Sequence, residues 1–339
     1  MTAALIVGLA GGALSEDERA FLADIRPAGV ILFRRNVLDP SAIRALVDDV
    51  RAAVGDDLLI LIDQEGGRVQ RIKAPTARDL PPAAAFGALY DREPEAAVRA
   101  AFAVARLAAE DLRSFGITMN CAPVVDLPVD GAHDIIGDRA YGRDARKIVV
   151  LAQAVADGLM AGGVIPVIKH IPGHGRATAD SHLDLPIVTT PHAELSRTDF
   201  LPFKALSHLP AAMTAHVVFT AIDRDRPAST STKVTSEIIR GEIGFDGLLM
   251  SDDLSMQALT GPLRKRAADV LNAGSDIALH CNGDMREMLQ IAPVAPPLIG
   301  RAARRFAQAL ELTRRRDEFD LAEADAILAS LMAGASPIV

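Results

Sequence analysis

Residues 164–186 read VIPVIKHIPGHGRATADSHLDLP. The apolar run at the start of this stretch ends in Lys169, a pattern that predicts a buried β-strand. Pro172, Gly173 and Gly175 prevent the following residues from continuing as strand or helix. The loop that results is crowded with ionisable side chains, namely His170, His174, Arg176, Asp180, His182 and Asp184. Three histidines joined to a strand end favour a functional loop on a rigid scaffold over a solvated surface loop.

Short apolar runs that end in glycine or polar clusters occur eight times along the chain, and we interpret each as a strand. The predicted strands are Ala4–Gly8, Gly29–Phe33, Leu58–Asp63, Thr118–Ala122, Val164–Lys169, Ala212–His216, Leu248–Asp252 and Asp276–His280. Helical patterns or long loops separate them, and strands that alternate with helices pair in parallel. The chain is therefore predicted to form a single (β/α)8 barrel over residues 1–339, with the helical tail 297–334 on its outside.

Helix boundaries are visible in the sequence as well. Ser15 and Glu18 are spaced as a capping box, and Asp39 before Pro40 is typical of a helix start. The helix predicted to begin near Pro94 ends at Gly116, where a left-handed cap is expected.

Polar residues follow the predicted strands at their C-terminal ends, where barrel enzymes assemble their active sites. An open doubly wound sheet would place its site at one switch point instead. The strand-end residues are Asp63, Asn120, Lys169, His170, His216, Asp252 and His280.

Composition narrows the class of protein. The net charge of -8 argues against a nucleic-acid partner, because such proteins present basic surfaces. We interpret the arginines between Arg301 and Arg316 as a solvated helix face. The two cysteines, Cys121 and Cys281, resemble small core residues rather than a disulfide framework. The N-terminal apolar run has no preceding Lys or Arg, and no segment is long enough for a bilayer span, so we expect a cytoplasmic protein without a membrane partner. We also expect a monomer.

The segment LILIDQEGGRVQRI, residues 59–72, is the first of two further candidate sites. Asp63 at a strand end, with Arg68 and Arg71 beyond a glycine turn, combines one acceptor with two forked donors. Such a mixture suits a ligand with vicinal hydroxyls. A purely structural ion pair between Asp63 and one arginine is the alternative.

The segment LLMSDDLSM, residues 248–256, is the second. Side chains alternate along a strand, so Asp252 and Asp253 point in opposite directions. One carboxylate is available as nucleophile or base, and the other as the cap of a helix from Leu254 onward. The alternative is that both are caps.

A metal site formed by His170, His174, His182 and Asp252 is a further alternative. His170 and His174 are four residues apart, but Pro172 and Gly173 lie between them and the glutamate of the zincin signature is missing. We therefore predict no metal and no cofactor.

Several motifs in order along the chain resemble glycoside hydrolase family 3, and within it the bacterial single-domain β-N-acetylglucosaminidases. These are AGVILFRRN (28–36), DQEGGRVQR (63–71), IIGDRAYG (135–142), KHIPGHG (169–175), DSH (180–182) and SDDLSM (251–256). The sequence departs from the family pattern at Ile171, where phenylalanine is common, and at Arg176, where an acidic residue is common.

The resemblance implies a role for each matching residue. Asp252 matches the nucleophile, and His182 matches the general acid/base with Asp180 as its partner. Residues that match the sugar-binding positions are Asp63, Arg71, Arg139, Lys169 and His170. The glycine-rich span 173–178 before Asp180 favours delivery of His182 by loop closure.

The implied activity is that of a retaining exo-β-N-acetylglucosaminidase. Its expected substrate is a small carbohydrate with terminal β-linked N-acetylglucosamine, released from peptidoglycan fragments through a covalent glycosyl-aspartate. The alternatives are another exo-β-glycosidase or a β-glycoside phosphorylase of the same family, a metal-dependent barrel hydrolase, and a sugar-binding protein without activity.

Overall fold

The computed structural model describes residues 1–177, 181 and 184–334. Eight parallel strands form a closed barrel, in which the first strand pairs with both the second and the eighth. The strands are β1 Ala3–Gly8, β2 Pro27–Leu32, β3 Leu59–Ile62, β4 Met119–Asn120, β5 Ile165–Ile171, β6 Ala211–Thr214, β7 Leu248–Asp253 and β8 Ile277–His280. The predicted (β/α)8 barrel is confirmed.

The helices lie between and after the strands. They are α1 Glu16–Ile25, α2 Pro40–Val54, α3 Ala83–Tyr90, α4 Pro94–Ser114, α5 Ala145–Ala161, α6 His192–Arg197, α7 Phe200–Ala205, α8 Leu263–Ala273, α9 Met285–Ile291, α10 Gly300–Leu312 and α11 Leu321–Met332. A π-helical segment, Val234–Glu242, occupies the connection between β6 and β7. Within the described residues, no helix is both long and apolar enough to cross a membrane.

The predicted helix ends are confirmed at several points. Ser15 accepts from the Glu18 amide while the Glu18 side chain accepts from the Ser15 amide. Asp39 accepts from the amides of Ser41 and Ala42. The amides in the first turn of a helix have no backbone acceptor within that helix, and these side chains accept their hydrogen bonds. The caps thus fix where each helix begins.

Strand β4 is shorter than predicted and β5 is longer. Pro123 follows Ala122 and has no amide hydrogen with which to extend β4 as a regular ladder. Strand β5 continues past Lys169 because Ile171 pairs with Thr214 of β6. The extension carries His170 within the strand rather than in the loop.

Inward-facing residues from successive strands form one apolar cluster inside the barrel, and it includes Leu61, Val167 and Met250. Because side chains alternate along a strand, the residue two positions after each of these also faces inward. Those residues are Asp63, Lys169 and Asp252, at the mouth of the barrel. The register of the apolar core thus determines which polar groups meet.

The helical tail is divided into α10 and α11, and α11 packs against α4. The interpretation of the arginine run as a solvated face is wrong at Arg305, which is buried. Its guanidinium lies 2.9 Å from Asp276 Oδ1 and also contacts Asp246. Two carboxylates at the start of β7 and β8 compensate for the burial of this charge.

Asp253 does not cap a helix, so the prediction of a helix from Leu254 is wrong. The next helix, α8, begins at Leu263 with Pro262 before it. Asp253 Oδ1 instead accepts from the amides of Ser255 at 3.1 Å and Cys281 at 3.0 Å. Asp253 therefore ties the end of β7 to the end of β8.

Candidate active site

A cleft of about 240 Å³ opens at the C-terminal ends of the barrel strands. It is lined by residues from seven of the eight strands or the loops that follow them, among them Asp63, Glu65, Arg71, Arg139, Lys169, His170, His174, Ser181, Asp252 and Met256. The structure thus brings Asp252 together with all five residues predicted to bind sugar.

Asp63 lies between two cations on the wall of the cleft. Its Oδ1 is 2.9 Å from Lys169 Nζ, and its Oδ2 is 2.9 Å from Arg71 Nη2. Burial alone raises the pKa of the Asp63 carboxyl, but the charges of Lys169 and Arg71 outweigh it and hold that pKa below its usual value. Asp63 is therefore an ionised acceptor whose neighbours are donors, as a sugar with vicinal hydroxyls requires.

Gln64 sets the position of Arg71 from inside the loop. Its Oε1 accepts from the amides of Arg71 at 3.0 Å and Ile72 at 3.1 Å, and its Nε2 donates to the Ile72 carbonyl at 2.7 Å. The backbone of Gln64 is in turn held by Asn120 through a pair of 3.0 Å hydrogen bonds. Asn120, predicted as a strand-end polar residue, thus supports the site from behind.

Glu65 is a cleft residue that the sequence analysis missed. Its oxygens accept from Nε and Nη2 of Arg139, both at 2.8 Å, and its Oε1 is 2.6 Å from Lys169 Nζ. Burial alone raises the pKa of the Glu65 carboxyl, but Lys169 and Arg139 hold it below its usual value. The sequence could have indicated Glu65 as a cleft residue, because Glu65 is two residues after Asp63 and extended residues at that spacing share a face.

Asp252, near the end of β7, is a carboxylate that lines the cleft. Burial alone raises the pKa of its carboxyl, but the nearby charges of His170 and His216 and a hydrogen bond from the Asp253 amide at 2.8 Å lower it. A carboxylate kept ionised in a buried position is suited to attack an electrophilic carbon.

His170 is held by Asp126, a second residue that the sequence analysis missed. Asp126 is fully buried, and its Oδ2 lies 2.7 Å from His170 Nδ1. Its Oδ1 accepts from the amides of His170 at 3.1 Å and His174 at 2.7 Å. Asp126 lies beyond the short β4, where the sequence gives no periodicity from which to place it.

The glycines of the loop are required by close packing. A Cβ atom at Gly175 would lie 2.0 Å from the Leu127 carbonyl oxygen, and one at Gly173, where φ is +141°, would lie 3.3 Å from Asp199 Cβ. The Ala177 carbonyl also accepts from the His133 amide at 2.8 Å. Residues 173–177 are thus packed closely against the rest of the protein.

Arg176, which departs from the family pattern, points to the outer helices. Its Nε donates to Asp199 Oδ2 at 2.7 Å, its Nη1 lies 3.0 Å from Glu194 Oε1, and its Nη2 donates to Thr198 Oγ1 at 3.2 Å. Two carboxylates of the α6–α7 region balance its charge. Arg176 therefore anchors the start of the loop to the outer layer of the barrel.

The strand-end histidines His216 and His280 are both fully buried but occupy different surroundings. His216 Nδ1 is 2.7 Å from Ser229 Oγ and its Nε2 donates to the Asp253 carbonyl at 3.0 Å, which places the ring beside the Asp252–Asp253 pair. His280 lies 3.3 Å from Glu287 and 4.0 Å from Asp253. Ala278, two residues earlier in β8, faces away from the barrel interior, and His280 faces the same way because side chains alternate along a strand. The prediction that His280 belongs to the site is therefore wrong.

Asp180 and His182, the predicted acid/base pair, lie outside the described residues. Ser181 between them is described, and its Oγ is 3.2 Å from His174 Nε2. In the part of the chain that the structure describes, no group of three or more His, Cys, Asp or Glu side chains is arranged to hold a metal ion.

Comparison with known proteins identifies the family to which this barrel and its cleft belong. Residues 4–307 match the glycosyl hydrolase family 3 N terminal domain. The chain belongs to glycosyl hydrolase family 3 and is a glycoside hydrolase.

Particular relatives span nearly the same length. The chain is 38% identical over 312 residues to the beta-hexosaminidase of Bordetella avium, covering 89% of each protein. It is 42% identical over 282 residues to the beta-hexosaminidase of Alkalilimnicola ehrlichii, covering 82% of this chain and 80% of that protein. Its structure is similar to NagZ from Neisseria gonorrhoeae in complex with N-trifluoroacetyl-D-glucosamine, with a TM-score of 0.87, 33% identity, and 97% and 98% of the two chains covered.

Proposed function

We propose that the protein is a retaining exo-β-N-acetylglucosaminidase that removes terminal β-linked N-acetylglucosamine from peptidoglycan fragments. The observation that carries this proposal is the position of ionised Asp252 in a cleft whose walls alternate carboxylates and cations around a sugar-sized space. The relatives named beta-hexosaminidase and the glucosamine derivative bound by gonococcal NagZ support an acetamido sugar.

The first step of the proposed reaction forms a glycosyl-enzyme. An Asp252 oxygen attacks C1 of the sugar while the bond from C1 to the leaving oxygen breaks, and His182 donates its proton to that oxygen. Imidazole suits this role because it titrates near neutral pH without assistance, whereas a carboxylic acid must be kept protonated by its surroundings. Asp180, as the partner of His182, stabilises the imidazolium.

The second step releases the sugar. Neutral His182 accepts a proton from water as the water oxygen attacks C1, and the bond from C1 to Asp252 breaks. Two inversions at C1 give net retention. Asp63, Arg71, Arg139, Lys169 and His170 hold the sugar hydroxyls and acetamido group through both steps in this proposal.

The decisive experiment compares two aryl glycosides, the β-N-acetylglucosaminide and the β-glucoside. We expect turnover of the first to exceed that of the second by at least about a hundredfold, because a site built to bond a polar group rejects a substrate without it. Equal turnover identifies a general exo-β-glycosidase instead. The same reaction in phosphate buffer distinguishes hydrolysis from phosphorolysis, because phosphorolysis yields the sugar 1-phosphate. Loss of activity on addition of a chelator would identify the metal-dependent alternative.

The natural leaving group is tested with two defined substrates, a peptidoglycan-derived disaccharide peptide and a chitooligosaccharide. We expect faster release of N-acetylglucosamine from the first.

A cytoplasmic location and a monomeric, single-domain protein belong to the same proposal, and the buried free thiols of Cys121 and Cys281 are consistent with a reducing compartment. Cell fractionation and sedimentation check these two points.

A further inference from the structure

Asp126 is a buried carboxylate with three hydrogen-bond donors around it. The ring nitrogen Nδ1 of His170 and the amides of His170 and His174 all lie within 3.1 Å of its oxygens. Burial alone raises the pKa of Asp126, but the charge of His170 and these hydrogen bonds lower it. Asp126 is consequently an ionised group that only accepts hydrogen bonds.

An acceptor at 2.7 Å determines where the proton of His170 lies. Nδ1 must carry a hydrogen to bond Asp126, which leaves Nε2 as the nitrogen available elsewhere. The His174 ring packs edge-on at 5.6 Å between centroids and limits rotation of the His170 ring. The charged or titratable groups facing His170 are Asp126, Lys169, His174, His216 and Asp252.

The same carboxylate connects two parts of the protein. Through His170 it contacts a residue that lines the cleft, and through the His174 amide it holds the start of the loop that leads to Asp180 and His182. Replacing Asp126 should therefore disturb both the His170 ring in the cleft and the start of the loop at His174.

We propose that Asp126 is a positioning residue for the glycosidase reaction, which rests on the function proposed above. It fixes the His170 ring with Nδ1–H toward the barrel wall and Nε2 toward the sugar, and it holds the His174 backbone at the base of the loop. When a group orients an imidazole through its second ring nitrogen, replacing that group changes both the tautomer and the direction of the imidazole ring.

The test is Asp126→Asn, which preserves shape and retains one oxygen for the two backbone amides. The new Nδ2 group donates toward His170 Nδ1, so the ring must present a lone pair there and carry its proton on Nε2. We expect ¹⁵N NMR of histidine-labelled protein to show His170 Nδ1 changing from protonated to unprotonated. The His170 signals are assigned from the spectrum of His170→Gln. By analogy with outer-shell partners of metal-bound imidazoles, kcat/KM on the aryl N-acetylglucosaminide should fall on the order of tenfold to hundredfold.

Asp276→Asn is the matched control. Asp276 is also a buried carboxylate with several donors, namely Arg240, Arg305 and the Leu249 amide, but it lies at the start of β8 at the opposite end of the barrel. We expect this variant to melt at a lower temperature while the His170 signals and kcat/KM of the folded protein stay unchanged.

Three results overturn the proposal. One is a folded Asp126→Asn variant with Nδ1 of His170 still protonated, and another is one with kcat/KM within about twofold of the parent. The third, which does not depend on the variant folding, is an unprotonated His170 Nδ1 in the parent protein. If the parent does not cleave the aryl N-acetylglucosaminide, the proposed function fails, and the NMR comparison still decides the role of Asp126.

Discussion

Glu65 and Arg139 form a bidentate ion pair, with Nε and Nη2 of the arginine each 2.8 Å from a different carboxylate oxygen. Both side chains are about nine-tenths buried, so neither charge is left to water. Removing one partner of such a pair costs about 3–5 kcal/mol, because the other charge stays buried without compensation. The pair therefore holds Arg139 in place at the cleft.

Glu65→Gln should raise KM for the aryl N-acetylglucosaminide more than it lowers kcat. The glutamine no longer neutralises Arg139 and Lys169, so both cations shift while Asp252 is untouched. Steady-state kinetics and thermal melting measure the two effects. Glu110→Gln, which weakens the contacts of Glu110 with Arg106 and Arg316 away from the cleft, is the control and should leave KM unchanged. An unaltered KM in folded Glu65→Gln contradicts a role for the pair in binding.

Asp252→Ala should lower kcat on an activated aryl N-acetylglucosaminide by at least about a thousandfold, because the covalent intermediate cannot form. Azide should restore turnover by entering the vacated space and attacking C1 from the same face, which gives the α-glycosyl azide. NMR of the product establishes its configuration. A β-glycosyl azide, or near-normal activity without azide, contradicts assignment of Asp252 as the nucleophile.

His182→Ala should affect substrates according to their leaving group. A poor leaving group needs a proton in the transition state, whereas a dinitrophenolate does not. We expect a loss of about 10²–10⁴-fold on an alkyl N-acetylglucosaminide and a much smaller loss in the first step on the dinitrophenyl substrate, measured by pre-steady-state release. Equal losses on both would argue that His182 is not the acid.

The stability of the protein should fall between pH 7 and pH 5 in a way that depends on His174. Burial, with a smaller contribution from the charge of His170, lowers the pKa of His174 to about 4. The unfolded chain binds this proton near pH 6.5, so the contribution to stability is complete above that pH and is lost as the pH falls toward 4. In His174→Gln, the difference between urea midpoints at pH 7 and pH 5 should shrink. The exposed His208 provides the control, since His208→Gln should keep the parent's difference.

Arg176→Ala should destabilise the protein through Asp199 rather than change sugar binding. Asp199 is 1% exposed at its side chain, and without the guanidinium its charge is buried and unpaired. We expect a loss of about 3–5 kcal/mol in the free energy of unfolding and an unchanged KM for the aryl substrate. The double variant Arg176→Ala with Asp199→Asn should recover part of that loss. Additive losses would show that the two residues are not coupled.

The sequence predicts the barrel well because two physical rules operate locally. Apolar runs mark the strands, and alternation along them aims Asp63, Lys169 and Asp252 at one cavity. Asp126 could not be found in this way, because its importance arises only when residues 44 and 48 positions later in the chain fold against it. His280 was misplaced because its position at a strand end was considered without its register.

Residues 173–177 and the helices α6 and α7 share buried contacts through Arg176, Asp199 and Gly173, and so we expect them to open as one cooperative unit. Their amide hydrogens, bonded within the segment and within the helices, should exchange with deuterium at rates that report a common opening free energy. The polypeptide that leads to the proposed acid/base is thus closely packed where it leaves the barrel. We expect packing of this kind to reduce the conformational entropy that substrate binding must remove there, which favours affinity.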